Sequence, residues 1–156
     1  MNISFEFCDF ENLEHLKALV DLLNKYMADP MGDSPVLNKL QQLRLVDGLA
    51  NQPSSFVLFE LCDGVIAGLA TCFINFSTFR VKSYLNIHDI FVLPEYRGIG
   101  LARKMMQELI SISQKWDYCK MTLEVRDDNT IAQRLYRSMD FEECKPKMLF
   151  WTKKLS

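Results

Sequence analysis

His88 and Asp89 stand side by side in the stretch NIHDIFV, and a few residues later the chain passes through Pro94 into Arg97-Gly98-Ile99-Gly100. Imidazole titrates near neutrality, so a histidine suits the removal of a proton from an incoming nucleophile, and a neighbouring carboxylate can hold a cation or act as base. A glycine-bearing turn that opens a helix receives anions, because the first N–H groups of the helix lack internal acceptors and the helix dipole is positive there. Successive strand residues point to opposite faces, so only one of His88 and Asp89 faces a given cleft unless a bulge intervenes. Glu124, on the next strand, is either a further carboxylate able to orient an ammonium group or a solvated side chain.

Other chemistries find little support. The five cysteines are odd in number, scattered and without a C-x-x-C pair, which argues against a disulfide framework or a zinc site and for reduced, mostly buried thiols. The two histidines, His15 and His88, lie far apart with no ligand cluster, so no metal is expected, and His15 is expected to face solvent. A formal charge of −2 disfavours nucleic-acid binding, and 49% hydrophobic residues describe an ordinary globule. No apolar run is long enough for a membrane span, and the flanks of the N-terminus are acidic, so a cytoplasmic protein is expected.

The elements that must position these groups are legible in outline. After a strand over 3–7, Asp9 can cap an amphipathic helix carrying Leu13, Leu16, Val20, Leu23 and Met27. ADPMGDSP breaks it, and a weaker helical pattern follows through Leu37, Leu40, Leu43 and Val46. FVLFELC and VIAGLATCFI read as a hairpin joined by Asp63-Gly64, a dipeptide suited to positive φ. YLNIHDIFVL is a strand ending at Pro94, and the helix behind the glycine turn carries Leu101, Met105, Leu109, Ile112 and Trp116. A strand over 119–125, a short helix over 129–139 and a last strand, MLFWTKKL, complete a single α+β domain spanning 1–156. The strands on either side of the 100–116 helix are expected to be parallel neighbours, since such a connection is a crossover.

Spacing decides among three owners of the glycine turn. No G-x-x-x-x-G-K-[ST] surrounds Gly98, and in G-x-G-x-x-G the third glycine is replaced by Arg103, so a nucleoside triphosphate and a dinucleotide both lose their basis. Arg97-Gly98-Ile99-Gly100-Leu101-Ala102 matches [QR]-x-x-G-x-[GA], and Asn129, Ala132, Leu135, Tyr136 and Phe141 form N-x-x-A-x-x-L-Y-x-x-x-x-F downstream. Together they resemble the paired motifs of the GNAT superfamily of N-acetyltransferases. NIHDIFV is most similar to the diamine and polyamine branch, where an acid stands at the position of His88, so polyamine specificity does not carry over. A glycine usual before the final Phe is Asp140 here, which puts the local turn in question.

The resemblance implies a mixed sheet of about six to seven strands, antiparallel in its N-terminal part, flanked by about four helices. It implies acetyl-CoA as co-substrate, with the backbone of Phe91 and Val92 pairing along pantetheine. Arg97 and the N–H groups of Gly98, Ile99, Gly100, Leu101, Ala102 and Arg103 would hold the pyrophosphate. Asn129, with Ala132 of the same motif, would contact the pantetheine arm, and Asn129 is also a natural helix cap. Tyr136 would lie near the thioester sulfur as general acid, with His88 or Asp89 as water-assisted base. Tyr26, Asp29, Met31 and Asp33 would lie in the acceptor-binding loop, where the acids favour a cationic amine. The expected reaction is direct acetyl transfer to a small-molecule amine, with a protein acetyltransferase or a non-catalytic acyl-CoA sensor as rivals. The family also includes many homodimers.

Overall fold

The computed structural model describes residues 1–156, which fall into two compact units, Met1–Glu124 and Val125–Ser156. In the first, five strands line up in sequence order: β1 (Ile3–Phe7), β2 (Ser55–Cys62), β3 (Val65–Ser77), β4 (Lys82–Val92) and β5 (Met121–Leu123). β1 to β4 are antiparallel, and β4 and β5 are parallel, as the crossover required. Asp63 and Gly64 both take positive φ, 50° and 82°, which closes the β2–β3 hairpin in two residues.

Helices cover both faces of this sheet. α1 (Leu13–Ala28) lays Leu19, Leu22 and Leu23 on Val57, Phe59, Leu69 and Phe91. On the other face, Leu101 of α3 (Leu101–Lys115) packs with Cys62, Ala67 and Val92. Strand β2 is therefore buried continuously from Val57 to Cys62, since neither face is left for water. α2 (Lys39–Ala50) follows α1 under a capping box made by Asn38 and Gln41.

Close approach explains one glycine. A Cβ on Gly32 would sit 1.9 Å from the Tyr26 carbonyl oxygen, so the loop after α1 folds back tightly on the helix end. Gly32→Ala is expected to destabilise the chain by about 2 kcal/mol, through this overlap with backbone, and urea unfolding measures it.

Three expectations change here. The cap of α1 is Asn12, whose side chain accepts the Glu14 N–H at 2.9 Å, whereas the Asp9 side chain accepts from Glu11. His15 does not face solvent: its Nδ1 accepts the Asp9 N–H at 3.0 Å, Nε2 lies 3.4 Å from Glu6, and the ring meets Phe59 edge-on. Burial of that ring comes from β1 and β2, which no local pattern on α1 could show. The third is strand count: the sheet has five strands, and the expected strand over 119–125 shortens to Met121–Leu123.

In the second unit, α4 (Thr130–Arg137) starts under Asn129, which accepts the Ala132 N–H at 3.1 Å. The helix is shorter than the 129–139 expected and ends through Asp140 at φ 66°, the left-handed conformation that glycine adopts most readily and that Asp tolerates. The Phe141 N–H then reaches the Tyr136 carbonyl at 3.0 Å, and the two rings meet at 6.0 Å. MLFWTKKL is not a strand, and its Met148, Leu149, Phe150 and Trp151 are exposed. Strand propensity without a hydrogen-bonding partner makes no ladder.

Candidate active site

A bulge settles how His88 and Asp89 are presented. In the β3–β4 register Thr71 pairs with Asp89 and Cys72 with Ile87, so His88 is the extra residue between them. The alternation of faces resets at that point, and both side chains line one pocket of about 440 Å³. The Thr71 hydroxyl, itself buried, donates to Asp89 Oδ2, and the Phe73 ring meets the imidazole of His88 edge-on at 5.4 Å. Tyr26, Met27, Gly32 and Ser34 reach the pocket from the end of α1 and the loop behind it, and Leu45 and Leu49 reach it from α2.

Beyond the pocket β4 loses a neighbour. β5 pairs with Leu85 to Ile87 only, while β4 runs on to Val92, so its edge from His88 onward is released from β5. Phe91 lies on this stretch with its ring stacked on Tyr26 at 5.4 Å. The chain then turns through a short 3₁₀ segment, Pro94–Tyr96, into Gly98 at φ 79° and Gly100 at φ 89°. No side chain caps α3 at Gly100, whereas α1, α2 and α4 each begin under an asparagine. Around both glycines a Cβ would meet nothing within 4 Å, so the turn presents open backbone, with Ile99 exposed between them. Leu101 is buried as the first residue of α3, and Ala102 and Arg103 follow it in the first turn.

Arg97 has a different surrounding from the one expected of an anion ligand. Its Nε donates to the Val92 carbonyl at 2.9 Å, its Nη2 lies 3.0 Å from Asp29 Oδ2, and its guanidinium sits 5.2 Å from the centroid of the Phe91 ring. Asp29 is the C-cap of α1 and also accepts the Met31 N–H at 3.0 Å. Burial pushes the Asp29 carboxyl up, but the Met31 N–H and the Arg97 guanidinium outweigh that and hold it below the usual carboxylate range. The Asp29 carboxylate thus ties the loop at the end of α1 to the glycine turn. Replacing Arg97 by Gln is expected to speed amide exchange at Met31, Gly32 and Asp33 about fivefold, the range of one partly buried ion pair, with hydrogen–deuterium exchange as the readout.

Of the other expected acceptor residues, Met31, Asp33 and Glu124 do not line the pocket, and Glu124 is exposed just past the end of β5. Thr71 went unnoticed in the sequence because only its register opposite Asp89 singles it out. Phe73 lines the pocket, whereas Phe76 and Phe79 are exposed near the tip of the β3–β4 hairpin. Asn129, Ala132 and Tyr136 belong to the second unit, where Tyr136 is buried.

A parallel strand pair that parts beside a glycine-headed helix, in an otherwise antiparallel sheet, is the architecture of acyl-CoA N-acyltransferases. The model of the acetyltransferase (GNAT) family matches residues 16–141, and the chain belongs to that family. It is 33% identical over 93 residues to an uncharacterized N-acetyltransferase of Archaeoglobus fulgidus, across 59% of this chain and 63% of that protein, less than two thirds of the relative's length. Against a thialysine N-epsilon-acetyltransferase of Caenorhabditis elegans the identity is 25% over 129 residues, covering 82% of this chain and 78% of the relative. The solved structure of a probable acetyltransferase shares the fold at a TM-score of 0.82 and 22% identity, covering 100% of this chain and 99% of that one. No helix is long and apolar enough to cross a membrane.

Proposed function

We propose that this chain is an acetyl-CoA-dependent N-acetyltransferase that moves the acetyl group directly to a primary amine of a small molecule. The observation that carries the reading is the bulge at His88, which brings a base and a carboxylate into one pocket at the start of the released β4 edge. Family membership supports the co-substrate, and the Caenorhabditis elegans relative is named as an N-epsilon-acetyltransferase of thialysine.

The residues suit CoA. Gly98 and Gly100 hold the uncapped first turn of α3 open, and the N–H groups from Gly98 to Arg103 are the donors for the pyrophosphate. Phe91 and Val92 offer strand backbone to pantetheine, with Asn129 and Ala132 assigned to the same arm from their motif. Arg97 acts through its hold on Val92 and Asp29 rather than as a direct ligand. Acetyl-CoA, when bound, supplies the thioester acetyl group. Asp89, steadied by Thr71, binds the ammonium form of the acceptor, and an imidazole nitrogen of His88 takes its proton, directly or through water. Tyr136 Oη, assigned from the motif, gives a proton to the departing thiolate. The cytoplasm as location and pairing as a homodimer belong to the same reading.

A partly enclosed pocket favours a small acceptor over a peptide laid in an open groove. The test is release of free CoA from acetyl-CoA with a panel of amines and peptides. If acetyl-CoA bound but no amine gave CoA above background, the enzyme reading would fail in favour of a sensor. Replacing Tyr136 by Phe is expected to lower kcat by about 10²-fold with acetyl-CoA affinity kept, and unchanged turnover would remove its role as acid.

A further inference from the structure

The pocket also discriminates among amines, on the proposed reading that it takes the acceptor. Leu23 and Met27 of α1, Leu45 and Leu49 of α2 and Phe73 of β3 make most of its wall apolar. Its ionisable lining groups, apart from the phenol of Tyr26, are His88 and Asp89, neighbours on β4. The other acids that the sequence offered for a cationic acceptor are elsewhere. Asp29 Oδ2 is 3.0 Å from the Arg97 guanidinium, and neither Asp33 nor Glu124 lines the pocket. One carboxylate therefore faces the acceptor, and Thr71 fixes its orientation.

A single ammonium can pair with Asp89 while the rest of the molecule displaces water from leucine, methionine and phenylalanine side chains. A second ammonium on the same molecule would be stripped of water against an apolar wall with no counter-charge, which strongly disfavours binding. We infer that the acceptor is an amphipathic monoamine, one primary amine on an alkyl or aryl body, and that diamines, polyamines and aminoglycosides are poor acceptors. The discrimination is by penalty against the second charge as much as by attraction for the first.

The decisive comparison keeps the six-carbon chain and adds a distal amine. With acetyl-CoA saturating, kcat/KM is measured for hexylamine, 2-phenylethylamine, 1,6-diaminohexane, spermidine and neamine. Hexylamine is expected to exceed 1,6-diaminohexane by about 30-fold, and phenylethylamine to exceed spermidine and neamine by at least as much. A diamine, polyamine or aminoglycoside that matched or outran the monoamines would overturn the inference and leave the acetyltransferase reading intact. No turnover with any amine, at concentrations where acetyl-CoA binds, would overturn both. Leu49→Asp and Leu45→Asp, each adding a carboxylate to the α2 wall, should close the hexylamine-to-diaminohexane gap at least about fivefold. A gap unmoved in folded variants would show that this wall does not set the preference, which also counts against the inference.

Discussion

Replacing Asp89 by Asn is expected to lower kcat/KM for the amine by about 10²-fold, while acetyl-CoA affinity stays within about twofold. Asparagine keeps the shape of the side chain and an oxygen that accepts from the Thr71 hydroxyl, so the β3–β4 register and the bulge should persist. What is lost is the negative charge that, on the proposed function, orients an ammonium toward the neighbouring imidazole. Steady-state kinetics separate the outcomes, with thermal unfolding as the check on folding. A Thr71→Val variant belongs in the same experiment: the carboxylate remains but its orientation is freed, and a loss of about fivefold is expected. Unchanged kcat/KM in Asp89→Asn would show that the carboxylate serves only as the partner of Thr71, leaving His88 without an adjacent anchor for the amine.

The second large effect concerns stability. Glu60 on β2 is fully buried, and neither carboxylate oxygen has a hydrogen-bond partner. Gly68, opposite it on β3, borders the carboxylate, a Cβ there standing in ordinary contact 3.6 Å from Glu60 Oε2, while the Phe91 carbonyl oxygen at 2.9 Å is what excludes a side chain. Burial pushes the carboxyl up from 4.5 to about 8, and the charge of Lys104 on α3 offsets only part of this. Between those values the folded chain keeps a proton that the unfolded chain releases. The contribution of Glu60 to stability therefore falls as pH rises from about 4.5 toward about 8, and levels off above it.

A Glu60→Met variant removes this titration and fills the site with a flexible apolar side chain of similar length. Its stability relative to the parent should rise by about 3 kcal/mol between pH 5 and pH 8, as expected when an unpaired buried charge is replaced by an apolar group. Urea unfolding of both proteins across that range is the measurement, and only the difference between the curves matters, because other groups titrate in both. Parallel curves would mean that Glu60 finds a partner or water in solution.

Much of the fold could be read in advance because its signals are local. Asp63-Gly64 names a two-residue hairpin, the helical spacing of Leu101, Met105 and Leu109 names α3, and a helix between two strands implies a parallel crossover. The glycine turn was legible for the same reason, since positive φ at Gly98 and Gly100 is a demand on residue type. His15 was misread because its partners, Glu6 and Phe59, lie on strands that only the fold brings to it. MLFWTKKL was misread because a strand exists only where another strand accepts it.

The sequence by itself determined the family, the glycine turn and the adjacency of a histidine and an aspartate on β4, all of which depend on residue type at fixed spacing along one segment. Tertiary structure decided that His88 and Asp89 share a pocket, because the bulge is a property of the register between β3 and β4. It also decided that Asp29 faces Arg97 while Asp89 is the pocket's carboxylate. A charge in the sequence has no direction until packing supplies its partner, and here packing turned the Asp29 carboxylate to Arg97 and left that of Asp89 in the cleft.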